Sequence, residues 1–574
     1  MMRKALLAGA GSIALLLGGC HAAGSGNQAA HGPADWDGFV SRTIDGYLRI
    51  NPDFAVYQGK HEYDGQIPDW SPEGLQRRQA FVQQAINDAQ AFDAEAMTPE
   101  QRYQRDYVTA VMRGQLFWLA TADQPHTNPA YYIGSLDPSV YVTRPYAPPA
   151  QRLRAYITYL RNVPRAAEQI RANLRAPLPV SFIDFGKAGF GGFAEYYRGD
   201  GKRAFADVHD AQLQADLNSA SEAAATAMQG LADWVESQRA QAGTNFALGA
   251  ERFSQMLRDT EMVDLPLDQL QQIGERDLQR NQAALREACA RYAPGQTIEA
   301  CTLRMQNDKP AGGPVAAARA ELDSLRQFVI DHDIVSVPSM VQAQVEESPP
   351  YNRQNSAYIS IAGPYEHNLP SVYYISPPDP SWTPEVQRAF VPGKADLLFT
   401  TVHEVWPGHY LNFLHANRSH FLFGQLFVGY AYAEGWAHYA EEMMWDAGLN
   451  DGDPETHVGQ LSNALLRDCR FLSAIGLHTG RMTQEQSYQM FRTQCYQDEG
   501  NARQQAARGT YDPAYLNYTL GKLMIRKLRE DWTASHGGRQ GWKAFHDQFL
   551  SYGGPPIPLV RQQMMREQTP RSVF

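Results

Sequence analysis

The stretch Thr400–Phe413, TTVHEVWPGHYLNF, decides how this chain is read. In a zinc-hydrolase helix of the form H-E-x-x-H, two imidazoles four residues apart share one face, and the Glu between them turns toward the attacking water. Here the second His comes two residues late, in His403-Glu404-Val405-Trp406-Pro407-Gly408-His409. At about 100° per residue, six residues of regular helix set the two rings roughly 240° apart, so an unbroken helix cannot offer both to one ion. Pro407 relieves this. It has no N–H to give the carbonyl of His403, and its ring crowds that carbonyl, so the helix must open or bulge. Gly408 tolerates the backbone angles such a distortion needs. The segment therefore carries both the misplacement and its remedy, with His403 and His409 as metal ligands and Glu404 as the base. The alternative is a chance H-E-x-x-x-x-H.

A hydrolytic zinc site needs neutral imidazoles and a carboxylate around an open coordination position. About twenty residues after His409, GYAYAEGWAHYAEEMMWDAG reads as an acidic helix and offers Glu434 as the third ligand. A Glu twenty-five residues beyond the second His resembles the arrangement in the gluzincin branch of zinc peptidases. His438, one turn further on, shares the face of Glu434. It is a ligand, a partner behind the ligands or a surface residue, and the spacing favours the partner.

The chain around these segments is ordinary globular protein, 574 residues with 43% apolar and 20% charged side chains. A formal charge of −11 and the lack of a long Lys/Arg run exclude a nucleic-acid partner. At the N-terminus, basic MMRK precedes the apolar run ALLAGAGSIALLL, too short to span a bilayer, and then Leu17-Gly18-Gly19-Cys20. That order resembles a bacterial lipoprotein signal, with Cys20 lipidated as the mature N-terminus; a plain secretory signal is the alternative. His21 rather than Asp at the next position points to the periplasmic face of the outer membrane. Residues 1–19 are thus read as signal, 20–35 as a flexible tether and 36–574 as one large helical domain. Losing Arg3 and Lys4 takes the charge from −11 to −13. Export exposes Cys289, Cys301, Cys469 and Cys495 to oxidation, and local bridges, Cys289 with Cys301 and Cys469 with Cys495, are the simplest of the three pairings. Four buried thiols are the alternative.

Most of the chain has helical periodicity. RLRAYITYLRNVPRAAEQI sets Leu153, Ile157, Leu160 and Val163 on one face. DAQLQADLNSASEAAATAMQGLADWVESQ, LDQLQQIGERDLQRNQAALREAC and AAARAELDSLRQFVIDH read the same way. Gly-rich FGKAGFGGFAEYY fits neither phosphate-binding glycine pattern and reads as a loop. Two β-type runs, Tyr358–Ile361 and Val372–Ser376, precede the His403 segment. The fold class expected is mainly α, with a small β element next to the metal-binding helix. The second run, VYYIS, is predicted to be a sheet edge where Tyr373 meets an extended peptide substrate; a core hairpin that only supports the metal helix is the equal alternative.

HEVWPGH, followed by YAEGWAHYAEE, RDCRFLSAIGLH and DPAYLNYTLGKLMIRKLR, resembles the bacterial domain-of-unknown-function family numbered 885, from about Pro52 to the C-terminal helix. The resemblance implies a mainly helical, often lipid-anchored, zinc-peptidase-like protein. Carried over by position, His403, His409 and Glu434 bind the metal and Glu404 is the base. Where the family commonly has EGWALY this chain has EGWAHY, so His438 is not a family ligand position. Related helical zinc peptidases use a downstream Tyr or His to steady the oxyanion, which implies Tyr518 here and His478 as second choice; a buried structural Tyr is the alternative, since the chain has 29. Arg508, Lys522 and Arg526 are candidates for a peptide carboxylate, or else solvated helix charges. The expectation is a lipid-anchored zinc hydrolase of oligopeptides. Its rivals are a non-catalytic metal- or peptide-binding lipoprotein and a metal-dependent hydrolase of some other amide or ester.

Overall fold

Helices account for most of the chain in the computed structural model, which describes residues 33–349, 352–353, 356–366 and 368–574. The signal, Cys20 and most of the tether lie outside the described residues. The periodic segments fold as their patterns dictate. Leu153, Ile157, Leu160 and Val163 lie on the buried face of the helix Pro149–Asn173. The Ala-rich segment forms Ala211–Ser237, started by Asp210, whose carboxylate accepts from the N–H groups of Gln212 and Leu213.

Two readings are corrected. FGKAGFGGFAEYY is helical, inside Val180–Arg198, and packs along Ala211–Ser237. Its glycines weaken helix propensity by about 1 kcal/mol each. Two of them leave room for close neighbours, since a Cβ on Gly186 would fall 3.0 Å from Pro129 and one on Gly189 2.5 Å from Ile133; Phe190, Phe193, Tyr196 and Tyr197 are buried from the same helix. The strand Val372–Ile375 is not an edge. The sheet runs β1 (Gln344–Glu347), β3 (Val372–Ile375), β2 (Ala357–Ser360), with β1 parallel and β2 antiparallel to the central strand. Tyr373 pairs with Val345 on one side and Ile359 on the other. Its ring is fully buried beside Thr401 and Glu404, so it supports the His403 helix from below and does not present an exposed edge to a peptide.

The largest apolar cluster surrounds the His403 segment and includes Phe399, Val402, Trp406, Trp436, Tyr439 and Phe549. Through it runs Tyr430–Asp446, the helix of Glu434, packed closely against Asn517–Thr533. A Cβ on Gly521 would stand 1.9 Å from the carbonyl oxygen of Ala431, and one on Gly435 2.4 Å from the Cα of Gly521. This glycine-on-glycine contact brings Tyr518 up to the Glu434 helix. Bridges join Cys289 to Cys301 and Cys469 to Cys495, with Cα separations of 5.8 and 6.4 Å. The second one fastens the long helix Pro454–His478, which also faces the His403 segment.

Glu261 sits at the base of this arrangement, 2% exposed, accepting from Asn517 Nδ2 at 2.8 Å and from the backbone of Ala431. Burial pushes its carboxyl up to about 8, against those two hydrogen bonds. The native state thus holds a proton that the unfolded chain releases near pH 4.5. Stability contributed here is present below about 4.5 and declines as pH rises toward 8. Glu261→Gln is expected to flatten that decline by a few kcal/mol, on the order of what a buried, shifted carboxyl contributes. Urea midpoints at the two ends of the window measure it; equal pH slopes for both proteins would assign the decline elsewhere.

Candidate metal centre

The helix Lys394–Glu404 stops at Glu404, the candidate base. Val405 leaves helical geometry (φ −121°, ψ −75°), the Trp406–Pro407 peptide is cis, Gly408 has φ −72° and ψ −130°, and a new helix, His409–Ala416, begins at the second His. The break is anchored rather than loose. The N–H of Gly408 donates to the carbonyl of Val402 at 3.0 Å, and Trp436 Nε1 donates to the carbonyl of Pro407 at 2.8 Å. Since Trp436 is two residues from Glu434, one side chain registers the broken segment against the helix of Glu434.

The break brings His403 and His409 together, their ring centroids 4.8 Å apart and nearly perpendicular. Glu434 Oε2 lies 3.2 Å from Nε2 of each ring, and one donor atom from each of the three residues falls within 4.8 Å of the others. Burial pushes Glu434 up, but the two imidazoles outweigh it and hold its carboxyl well below the usual range. At His403, burial and Arg467 act downward, and hydrogen bonds to Glu434 and Glu441 overcome them, raising the imidazole to about 9. The same surroundings favour positive charge where the three donors point. A His2Glu set suits zinc, and His403 presents Nε2 to the centre because its Nδ1 is engaged behind, so the residues fit the ion. Glu404 is 7% exposed and pushed upward by burial, with no hydrogen bond to any described residue.

Behind the ligands stands a layer that the motif did not announce. Glu441 Oε1 is 2.7 Å from His403 Nδ1 and 3.2 Å from Arg467 Nη2, while its Oε2 is 3.3 Å from Nδ1 of His438. Arg467 also donates to the carbonyl and side chain of Asn463. His438 is fully buried, so it is not a surface residue; it lies outside the three-residue donor cluster, with its Nδ1 against Glu441, which it supports. Glu441 follows Glu434 by seven residues, a spacing that returns to the same helix face, and that signal was available in YAEGWAHYAEE. Arg467 and Arg470, three apart in RDCRFL on a strongly apolar helix, were likewise visible as charges that a fold must bury.

The remaining candidates separate. Tyr518 lies at the centre, its ring 6.2 Å from that of His403 and nearly parallel to it. Arg508 is beside it, 5.8 Å from the ring centroid, and is tied to Asp512 and the Tyr430 hydroxyl. His478 is excluded as an oxyanion donor. It lies eleven residues beyond Arg467 on the same helix, about 16 Å along the axis, and its Nε2 pairs with the carbonyl of Gly509 at 2.7 Å. Lys522 is excluded as a carboxylate anchor because it is fully buried, 2.5 Å from Asp277 and 3.5 Å from Glu442. Arg526 is spent on Glu442 and Glu530.

Fold and site together define a mainly α protein built around a partly buried His-His-Glu cluster. The sequence pattern of "Bacterial protein of unknown function (DUF885)" matches residues 52–564, and the chain belongs to that family. No curated protein matches it. Among solved structures, a candidate lipoprotein of unknown function from Shewanella oneidensis is similar at 22% identity, covering 92% of this chain and 99% of its own, with a TM-score of 0.75. A candidate lipoprotein from Colwellia psychrerythraea is similar at 18% identity, covering 93% and 98%, with a TM-score of 0.77. At these identities the likeness is one of fold. Among the described residues no helix is long and apolar enough to cross a membrane.

Proposed function

We propose that this protein is a zinc-dependent hydrolase of peptide bonds in oligopeptides, held to the periplasmic face of the outer membrane by a lipid on Cys20. The observation that carries the reading is the meeting of His403, His409 and Glu434 donor atoms within 4.8 Å of one another, next to an unengaged Glu404. Zinc in this setting supplies Lewis acidity toward the scissile carbonyl and the attacking water. Glu404 takes the water's proton and delivers it to the leaving amine, a task suited to a carboxyl raised by burial. Tyr518 donates a hydrogen bond from its hydroxyl to the developing oxyanion. Glu441 and Arg467 fix the His403 ring so that Nε2 faces the centre.

Purified mature protein is expected to hold about one zinc per chain and to cut members of a random oligopeptide library. His409→Ala should lose the ion, since two donors remain of three. Full zinc content in that variant would remove His409 from the ligand set. Zinc retained by a wild type that cuts no peptide, amide or ester would instead leave a metal-binding scaffold.

A further inference from the structure

Beyond the ligands, the Pro454–His478 helix turns a second guanidinium toward Tyr518, and it has no counter-charge. Arg470 is 8% exposed, with its carbon 4.8 Å from the Tyr518 ring centroid. Only its Nε is engaged, donating to Gln505 Oε1 at 2.8 Å; Nη1 and Nη2 donate to no described group. No described carboxylate lies within 4.0 Å of it, whereas Arg467 has Glu441 and Arg508 has Asp512. Nη1 and Nη2 are not sealed from solvent, so they are open to an incoming acceptor, and a largely buried charge without a partner is costly. Here burial acts first, and the like charges of Arg508 and Arg467 add to it, pulling Arg470 down to about 10. The group stays cationic at neutral pH, so an anion is wanted.

Position says which anion. The spacings 6.2 Å (His403 to Tyr518) and 4.8 Å (Tyr518 to Arg470), laid end to end, limit the distance from the His403 ring to Arg470 to about 11 Å. A carboxylate paired with Arg470 would lie roughly 4 Å nearer the centre, and in a peptide the terminal carboxylate follows the last amide carbon by only about 4 Å. We propose that Arg470, with Arg508 beside Tyr518, holds the free α-carboxylate of a peptide substrate, so that the bond presented to the metal centre is the last one. The enzyme then removes residues from the C-terminal end. This rests on the hydrolase reading for its chemistry, but the anion site itself does not.

Calorimetric titration of chelator-treated mature protein with N-acetyl-trialanine, as free acid and as C-terminal amide, tests it without turnover. The acid is expected to bind at least about tenfold tighter than the amide. Arg470→Gln should erase the difference, and Arg470→Lys, a point charge without the fork, should restore part of it. Equal binding of acid and amide by the wild type, undetectable binding of the acid in the millimolar range, or an undiminished preference in Arg470→Gln would overturn the proposal. If Arg470→Gln does not fold, the wild-type comparison decides alone. A clear acid preference in a protein that cleaves no peptide would leave the anion site standing and bring down the hydrolase reading.

Discussion

Glu404→Gln is expected to hold zinc as tightly as the wild type and to lose at least about a hundredfold in peptide turnover, the low end of what a positioned general base contributes. The amide keeps the shape of the carboxyl but cannot accept a proton. It should leave the three ligands in place, because Glu404 makes no hydrogen bond to any of them and ends its helix just before the backbone turns away. Metal content and turnover on one substrate, measured side by side, separate base from ligand. Loss of zinc in Glu404→Gln would make Glu404 a ligand, and unchanged turnover would exclude it as the base. A scaffold that only binds metal predicts no activity in either protein.

How much of this was legible depended on the distance over which each residue's role is set. The His403–Glu404–His409 geometry is local: Pro407 and Gly408 announce a broken helix within the motif itself, and the break is there. Glu434 required only a second helix of the right acidity. The charges beyond them depend on partners far away in sequence. Lys522 reads as a surface charge until Asp277, 245 residues earlier, is found against it. Arg470 is visible in RDCRFL as a charge on an apolar helix, but its missing counter-ion shows only once distant segments are packed around it. Strand order failed for a related reason. The partner that makes Val372–Ile375 central is QVEE, too short and too charged to read as a strand on its own. Charged residues are common on sheet edges because they discourage further pairing, so the edge that would have corrected the reading was hidden by the composition that suits it to be one. The glycine-rich helix was missed because glycine count records weak propensity and says nothing of the space a neighbour needs.

Gly408→Ala is expected to destroy the centre although it touches no ligand atom. A Cβ there would lie 1.8 Å from the carbonyl oxygen of His403 and 2.4 Å from both the carbonyl carbon of His403 and the carbonyl oxygen of Val402. All three are backbone atoms of the helix that presents the first ligand and the base, so no side chain can step aside. Its φ of −72° is not left-handed; the contacts with the His403 and Val402 backbone set the requirement. Relief must come from moving His409–Ala416 away from Lys394–Glu404, which separates the two imidazoles, or from unfolding the turn. The first costs zinc affinity, by at least about a hundredfold, because a displaced ligand loses more than a displaced support. The second costs stability beyond about 4 kcal/mol, in the range of exceptional single substitutions. Either appears as a melting temperature that zinc no longer raises. Gly230→Ala is the matched control, since Gly230 lies in a helix with open space where its Cβ would go, and there alanine should be neutral or stabilising by about 1 kcal/mol. A Gly408→Ala protein that melts with the wild type and binds zinc as tightly would mean that the chain can seat its second His without the backbone contact at His403. The two extra residues between the imidazoles would then need no glycine to be absorbed.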